Sequence, residues 1–251
     1  MSDSNKINVP DFLKTLDRLF ASENLEKAEQ LLESTLEKAR SLGDWSAEIS
    51  ILSEMMGFYR RNNKADKGLK AVQDGLALIE KHSLKSSVSG ATVMLNAATT
   101  LKAFGKAAEG IPVFKAAERT FNDKLDPNDY RFAGLYNNMA LSYVDTDDLK
   151  SAEEYYLRAL SILSTCENGE CEMAVTYCNM AYMYHKADPE DERINKVMSR
   201  AEECLESQKV ARDGYYAFTA SKCYSAFEYF GFFVYADKLK KISEKIYESN
   251  R

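Results

Sequence analysis

The chain has 251 residues, with 45% apolar and 29% charged side chains, the balance of a soluble globular protein. Thirty-three basic against thirty-nine acidic groups leave a net charge of −6, which argues against a nucleic-acid binder, because such a protein needs a basic footprint to displace counterions from phosphate. Eleven glycines and four prolines imply long helices with short joints, and two histidines leave little for acid–base catalysis or a His-rich metal centre. No enzyme is expected.

In chain order, Met1 to Lys6 shows no basic or apolar leader, and the longest uncharged stretch, Ser86 to Leu101, is interrupted by Ser, Thr, Gly and Asn. Neither an export signal nor a membrane span is expected. The five cysteines (Cys166, Cys171, Cys178, Cys204 and Cys223) then read as free thiols in a reducing cytoplasm.

Leu135 to Tyr143, the acidic run Val144 to Asp148, and Leu149 to Leu160 carry apolar residues at helical spacing on either side of a turn, an αα-hairpin. Thr146 or Asp147 is expected to cap the second helix. The hairpin recurs. Leu16, Met56, Ala98, Ala140, Ala181 and Tyr224 stand at the equivalent point of the first helix, separated by 40, 42, 42, 41 and 43 residues. Three positions on comes a large side chain each time: Leu19, Tyr59, Leu101, Tyr143, Tyr184 and Phe227.

The second helices open a buried stripe with Ala28, Gly68, Gly110, Ala152, Ile194 and Ala236, allowing one inserted residue in the fifth joint. They continue it with Thr35, Gly75, Ala117, Ala159, Ala201 and Ser243, and Leu32, Val72, Phe114, Tyr156 and Met198 fill the holes between. Packed helix pairs require small residues where backbones approach and bulky ones between them. Asp126-Pro127 and Asp188-Pro189 read as helix starts, and Asn168-Gly169 as the turn before the fifth unit. The expectation is an all-α chain of about twelve helices of roughly 15–20 residues.

Asn137 to Ala140 with Tyr143, Ala152, Tyr156 and Ala159, and Gly105 to Gly110 with Phe114 and Ala117, resemble the tetratricopeptide repeat. The 42-residue period is similar to the longer-helix branch seen in kinesin light chain and in the peptide-pheromone receptors of Gram-positive bacteria. The resemblance implies one right-handed α-solenoid over residues 1–251, with units near 10–43, 44–84, 86–125, 127–165, 170–208 and 210–250. It also implies a non-catalytic cytoplasmic module that holds an extended peptide or partner segment in a concave groove lined by the first helices. Leu16, Met56 and Tyr224 depart from the family's small residue. With the first repeat starting near residue 10, the DNA-binding helix-turn-helix domain of the transcriptional receptors is not expected in these residues.

Two residues before the small position stand Lys14, Glu54, Asn96, Asn138, Asn179 and Lys222. Asparagine in three consecutive units offers a ladder of carboxamides, each able to accept from a peptide N–H and donate to a C=O. The alternative is three solvated polar residues. Asn137, Tyr182, His185, Lys102, Arg60 and Arg61 complete the candidate site. The basic members favour an acidic or C-terminal segment, although Glu54, Asp145 and Glu228 lie among them. No cofactor is implied. Cys166-x₄-Cys171 lacks a matching second pair, so no metal is expected. Residues 215 to 235 hold ten aromatics, which either fill a large terminal core or form a self-association surface for a homodimer. A structural scaffold using that surface or the convex face is the second functional reading, and an enzyme a distant third.

Overall fold

The computed structural model describes residues 6–249, which contain twelve α-helices and no strand. They form two compact units, Met1–Leu125 and Asp126–Arg251. The first holds hairpins α1 (Val9–Ala21) with α2 (Leu25–Leu42), α3 (Trp45–Arg61) with α4 (Ala65–Lys81), and α5 (Val88–Ala103) with α6 (Ala107–Lys124). The second holds α7 (Arg131–Asp145) with α8 (Leu149–Leu163), α9 (Glu170–Ala187) with α10 (Arg193–Glu206), and α11 (Gly214–Tyr229) with α12 (Phe233–Ser249).

The small-and-large frame forms the core of both units. Ala28, Ala152, Ala159, Ala201, Leu32, Phe114, Tyr156 and Met198 are wholly inaccessible, and Val72 and Ala236 nearly so. At this stripe position a Cβ on Gly110 would lie 3.0 Å from the Ala98 carbonyl oxygen within its own hairpin, and one on Gly68 would lie 2.6 Å from the Phe104 ring of the next. Thr35 is half-buried, and its hydroxyl donates to the Leu31 carbonyl at 2.6 Å. At the two ends of the frame, Leu19 and Tyr224 are also only half-buried.

Five of the six hairpins close alike. The backbone N–H groups of Asn24, Lys64, Lys106, Asp148 and Phe232 donate to the carbonyls of Leu19, Tyr59, Leu101, Tyr143 and Phe227, at 2.8–3.0 Å. The residue before each donor (Glu23, Asn63, Gly105, Asp147 or Gly231) has φ between 52° and 85°. This is the closure expected where a helix ends in a left-handed residue. It corrects the capping expectation: Asp147 occupies the left-handed position, Thr146 bonds back into α7, and Asp148 Oδ1 accepts from Ser151 N at 3.1 Å.

The Asp-Pro sites also differ from expectation. Asp126 Oδ1 accepts from Asn128 N at 2.8 Å, and Asp188 Oδ1 from Glu190 N at 3.0 Å, so each carboxylate caps a turn and not a helix. The helices begin later, at Arg131 and Arg193. There a second aspartate accepts the backbone N–H and pairs with the guanidinium two residues on, Asp129 with Arg131 and Asp191 with Arg193. The shared pattern Asp-Pro-x-Asp-x-Arg therefore builds the fifth joint, which is why that hairpin carries extra residues. Arg131 holds the Asp129 carboxyl down at about 2.

Candidate peptide-binding face

The slot two residues before the small position is half-buried at Glu54, Asn96, Asn138 and Asn179 and exposed at Lys14 and Lys222. In the first unit this face is tied into the fold. Asn96 Nδ2 donates to Ser53 Oγ of the preceding hairpin at 2.8 Å. Arg60 Nη1 donates to the buried Thr100 hydroxyl at 3.3 Å, and burial, then the neighbouring Arg61, lowers its pKa. The Arg61 guanidinium lies 5.0 Å over the Phe20 ring, and Lys102 is half-buried with a partner of its own. Burial raises the pKa of Glu54.

The second unit leaves the same slots open. Asn138 Nδ2 donates only to the Gly134 carbonyl of its own helix, at 2.8 Å, and the Asn179 carboxamide has no partner among the described residues. Asn137 does not join them: its Oδ1 accepts from Thr176 Oγ1 at 3.0 Å, which places it between two hairpins. On α9, Val175, Asn179, Tyr182 and Lys186 follow one another at four, three and four residues, a single stripe. The matching stripe of α11 is Phe218, Lys222, Ser225 and Tyr229. Tyr182 is 39% exposed, Phe218 47% and Tyr229 59%. The Lys222 ammonium lies 4.1 Å over the Phe218 ring, and burial lowers its pKa. Lys186 donates to the Val144 carbonyl at 2.7 Å and pairs with Asp147 at 2.5 Å. His185 Nε2 and the Tyr229 hydroxyl are 2.9 Å apart.

Of the ten aromatics of the sixth hairpin, Tyr216, Phe227 and Tyr235 are buried and Tyr224, Phe230 and Phe232 half-buried. Tyr215, Phe218, Tyr229 and Phe233 are exposed, so core filling and surface exposure both occur. On α9, Cys178, Tyr182 and His185 pack against α11 through Cys223, Tyr229 and Phe230. The residues of α11 at those positions, 43 further on, are Ser221, Ser225 and Glu228, all exposed. The flank that would receive another hairpin is thus polar, and the exposed rings Phe218 and Tyr229 sit on the asparagine stripe instead. Helix α12 starts at Phe233, three residues before Ala236, just as α2, α4, α6 and α8 start three residues before Ala28, Gly68, Gly110 and Ala152. Its outward Lys240, Lys241, Glu244 and Lys245 are exposed as a terminal helix requires.

Cys171, Cys178 and Cys223 are buried and Cys166 and Cys204 half-buried. A hydrogen bond that the Cys223 thiol donates to Cys178, then burial, raises Cys223, and burial pushes Cys171 and Cys204 up to about 11. Among the described residues no three His, Cys, Asp or Glu side chains are placed to hold a metal ion, and no helix is long and apolar enough to cross a membrane.

No family model and no curated protein matches the sequence. Solved structures similar to the chain include BtubC (BKLC) from P. vanneervenii, 23% identical with a TM-score of 0.68 over 78% of this chain and 79% of that one. They also include the nearly identical TPR-like repeats of a Podosopora anserina kinesin light chain, 11% identical with a TM-score of 0.57 over 80% of this chain and 95% of that one. A double mutant of MamA (RS-1) is 15% identical, with a TM-score of 0.56 over 82% of this chain and 98% of that one. The chain has a tetratricopeptide-type fold. Its tetratricopeptide-type hairpins account for the sequence period, and the stripes on α7, α9 and α11 are the outward slots of that frame. Sequence reasoning picked out Asn138, Asn179, Tyr182 and Lys222. Phe218 and Tyr229 are counted there among the terminal aromatics and not assigned to this face, on which they fall when α11 is aligned with α9 at an offset of 43 residues.

Proposed function

We propose that the chain, as one domain of six hairpins, is a non-catalytic cytoplasmic interaction module that holds an extended peptide or partner segment against the first helices of its second unit. The observation that supports this most is the pair Asn138 and Asn179, neither bonded to a neighbouring hairpin, beside the exposed rings of Tyr182, Phe218 and Tyr229. Neighbouring helix axes lie roughly 8–10 Å apart and an extended chain rises about 3.3 Å per residue, so the two carboxamides would grip a peptide about every third residue. Preference for an acidic or C-terminal segment has narrower support, because Arg60 and Lys186 are already bonded within the protein and Lys222 is the basic group that remains on the stripe. Peptide-array capture with the full chain tests the reading. Replacing Asn138 and Asn179 by alanine should weaken capture about tenfold, two neutral hydrogen bonds at about 0.5–1.5 kcal/mol each, without lowering the melting temperature. Unchanged capture with unchanged melting removes the carboxamide grip.

A second reading, a scaffold that pairs with its own copy, draws on Phe233 and Val234, which are 67% and 90% exposed at the start of α12. Sedimentation across a concentration series distinguishes it: a dimer abolished by Phe233→Glu supports the scaffold, and a monomer at high micromolar concentration removes it.

A further inference from the structure

At the ends of α9 and α11 a cavity of about 550 Å³ opens between His185, Tyr229 and Phe230 on one side and the joint residues Glu190, Asp191 and Glu192 on the other. The three rings are nearly perpendicular to one another. Tyr229 and Phe230 meet at 90° with centroids 5.0 Å apart, His185 meets Tyr229 at 86°, and His185 meets Phe230 at 75°. Tyr182 backs them, 5.5 Å from Tyr229 and 5.1 Å from Phe230. Aromatic rings lining a cavity are surroundings that attract a cation.

The opposite wall adds formal charge. Asp191 is neutralised by its bidentate pairing with Arg193, but Glu190 and Glu192 are exposed and have no ion-pair partner among the described residues. Both line the same cavity as the three rings, in a protein of net charge −6. The same unit already satisfies guanidinium groups this way. Arg193 lies 4.0 Å over the Tyr184 ring while bonded to Asp191 and Glu153, and Arg212 lies 4.1 Å over Tyr216.

We propose that this cavity receives an arginine side chain of a partner polypeptide, stacked on Tyr229 and Phe230 and paired with Glu190 and Glu192. Arginine is the better fit than lysine because its planar guanidinium both stacks on rings and bonds a carboxylate through two donors. The proposal deepens the peptide-face reading by naming one anchor, since Tyr182 joins the corner to the Asn179 stripe.

The test uses the full chain and N-acetyl-arginine methylamide, with N-acetyl-citrulline methylamide as its uncharged isostere, followed by aromatic NMR. The arginine probe should shift the Tyr229, Phe230 and His185 ring signals along one saturating curve, with citrulline at least about tenfold weaker. Glu190→Gln with Glu192→Gln should remove that preference at an unchanged melting temperature, as should Tyr229→Ala, whose ring is 59% exposed. Equal response to the two probes, or no ring shift at all, overturns the proposal, and both results come from the unmodified protein. Asn138→Ala with Asn179→Ala should leave probe binding intact, which separates failure of this anchor from failure of the carboxamide grip.

Discussion

The first-helix faces of the two units use the same slots for opposite purposes. In the first unit Asn96 bonds Ser53, Arg60 bonds Thr100 and Arg61 covers Phe20, so the polar groups stitch one hairpin to the next. In the second, Asn138 folds back on its own helix, Asn179 has no partner among the described residues, and Tyr182, Phe218 and Tyr229 stand exposed beside them. A repeat frame dictates which positions must be small or large, because helix packing depends on them. It leaves the outward slots to whatever touches them, a neighbouring hairpin in the first unit and, on the function proposed above, an external partner in the second.

The frame itself should be equally strong in both units, and the largest effects test this. Phe114→Ala in the first unit and Met198→Ala in the second each empty a fully buried hole. Denaturant unfolding should show losses of about 3–5 kcal/mol for the phenylalanine and about 2–5 for the methionine. A loss below about 1 kcal/mol in either unit would mean that its second-helix stripe is not a close-packed core.

Outward slots should then separate the units. Arg60→Ala leaves the buried Thr100 hydroxyl without its guanidinium partner and should cost about 1–2 kcal/mol, whereas Lys222→Ala should stay within about 0.5. Asn96→Ala loses a hydrogen bond between hairpins and should destabilise by about 1 kcal/mol. Asn179→Ala loses none and should gain about half a kcal/mol from helix propensity. Equal effects of the two asparagine substitutions on the midpoint of unfolding would erase the distinction between a stitched and an open face.

These pairs also mark what the sequence discloses. The hairpins, their period and nearly the whole buried stripe are legible because packing forces the same residue sizes to return every 42 or so positions. The helix starts after Asp126 and Asp188 are misplaced because an aspartate before a proline looks the same whether it caps a helix or the turn preceding one. Site residues are the least legible. Asn96 and Asn179 occupy identical slots, and only the presence of Ser53 beside the first, 43 residues earlier in the chain, distinguishes a structural carboxamide from an available one.

The smallest expected effect concerns the charged groups at this slot. Glu54 in the first unit has its carboxyl raised above the ordinary 4.5, first by burial, with Arg61 opposing and Asp17 assisting, while burial lowers Lys222 in the second. A carboxyl whose pKa is higher in the folded state disfavours folding once it must ionise. Below the unfolded value it is protonated in both states and contributes no penalty; as pH rises through the folded value the penalty appears and then stays constant. Glu54→Gln should therefore match the parent near pH 4 and exceed it by a few tenths of a kcal/mol at pH 7, the modest size reflecting a half-buried group that water partly screens. Melting curves of the two proteins across that range measure the difference directly. Parallel curves, or a variant less stable at pH 7, would show that the Glu54 carboxylate is held by a favourable contact, and the first unit's face would then be stitched at that slot as well.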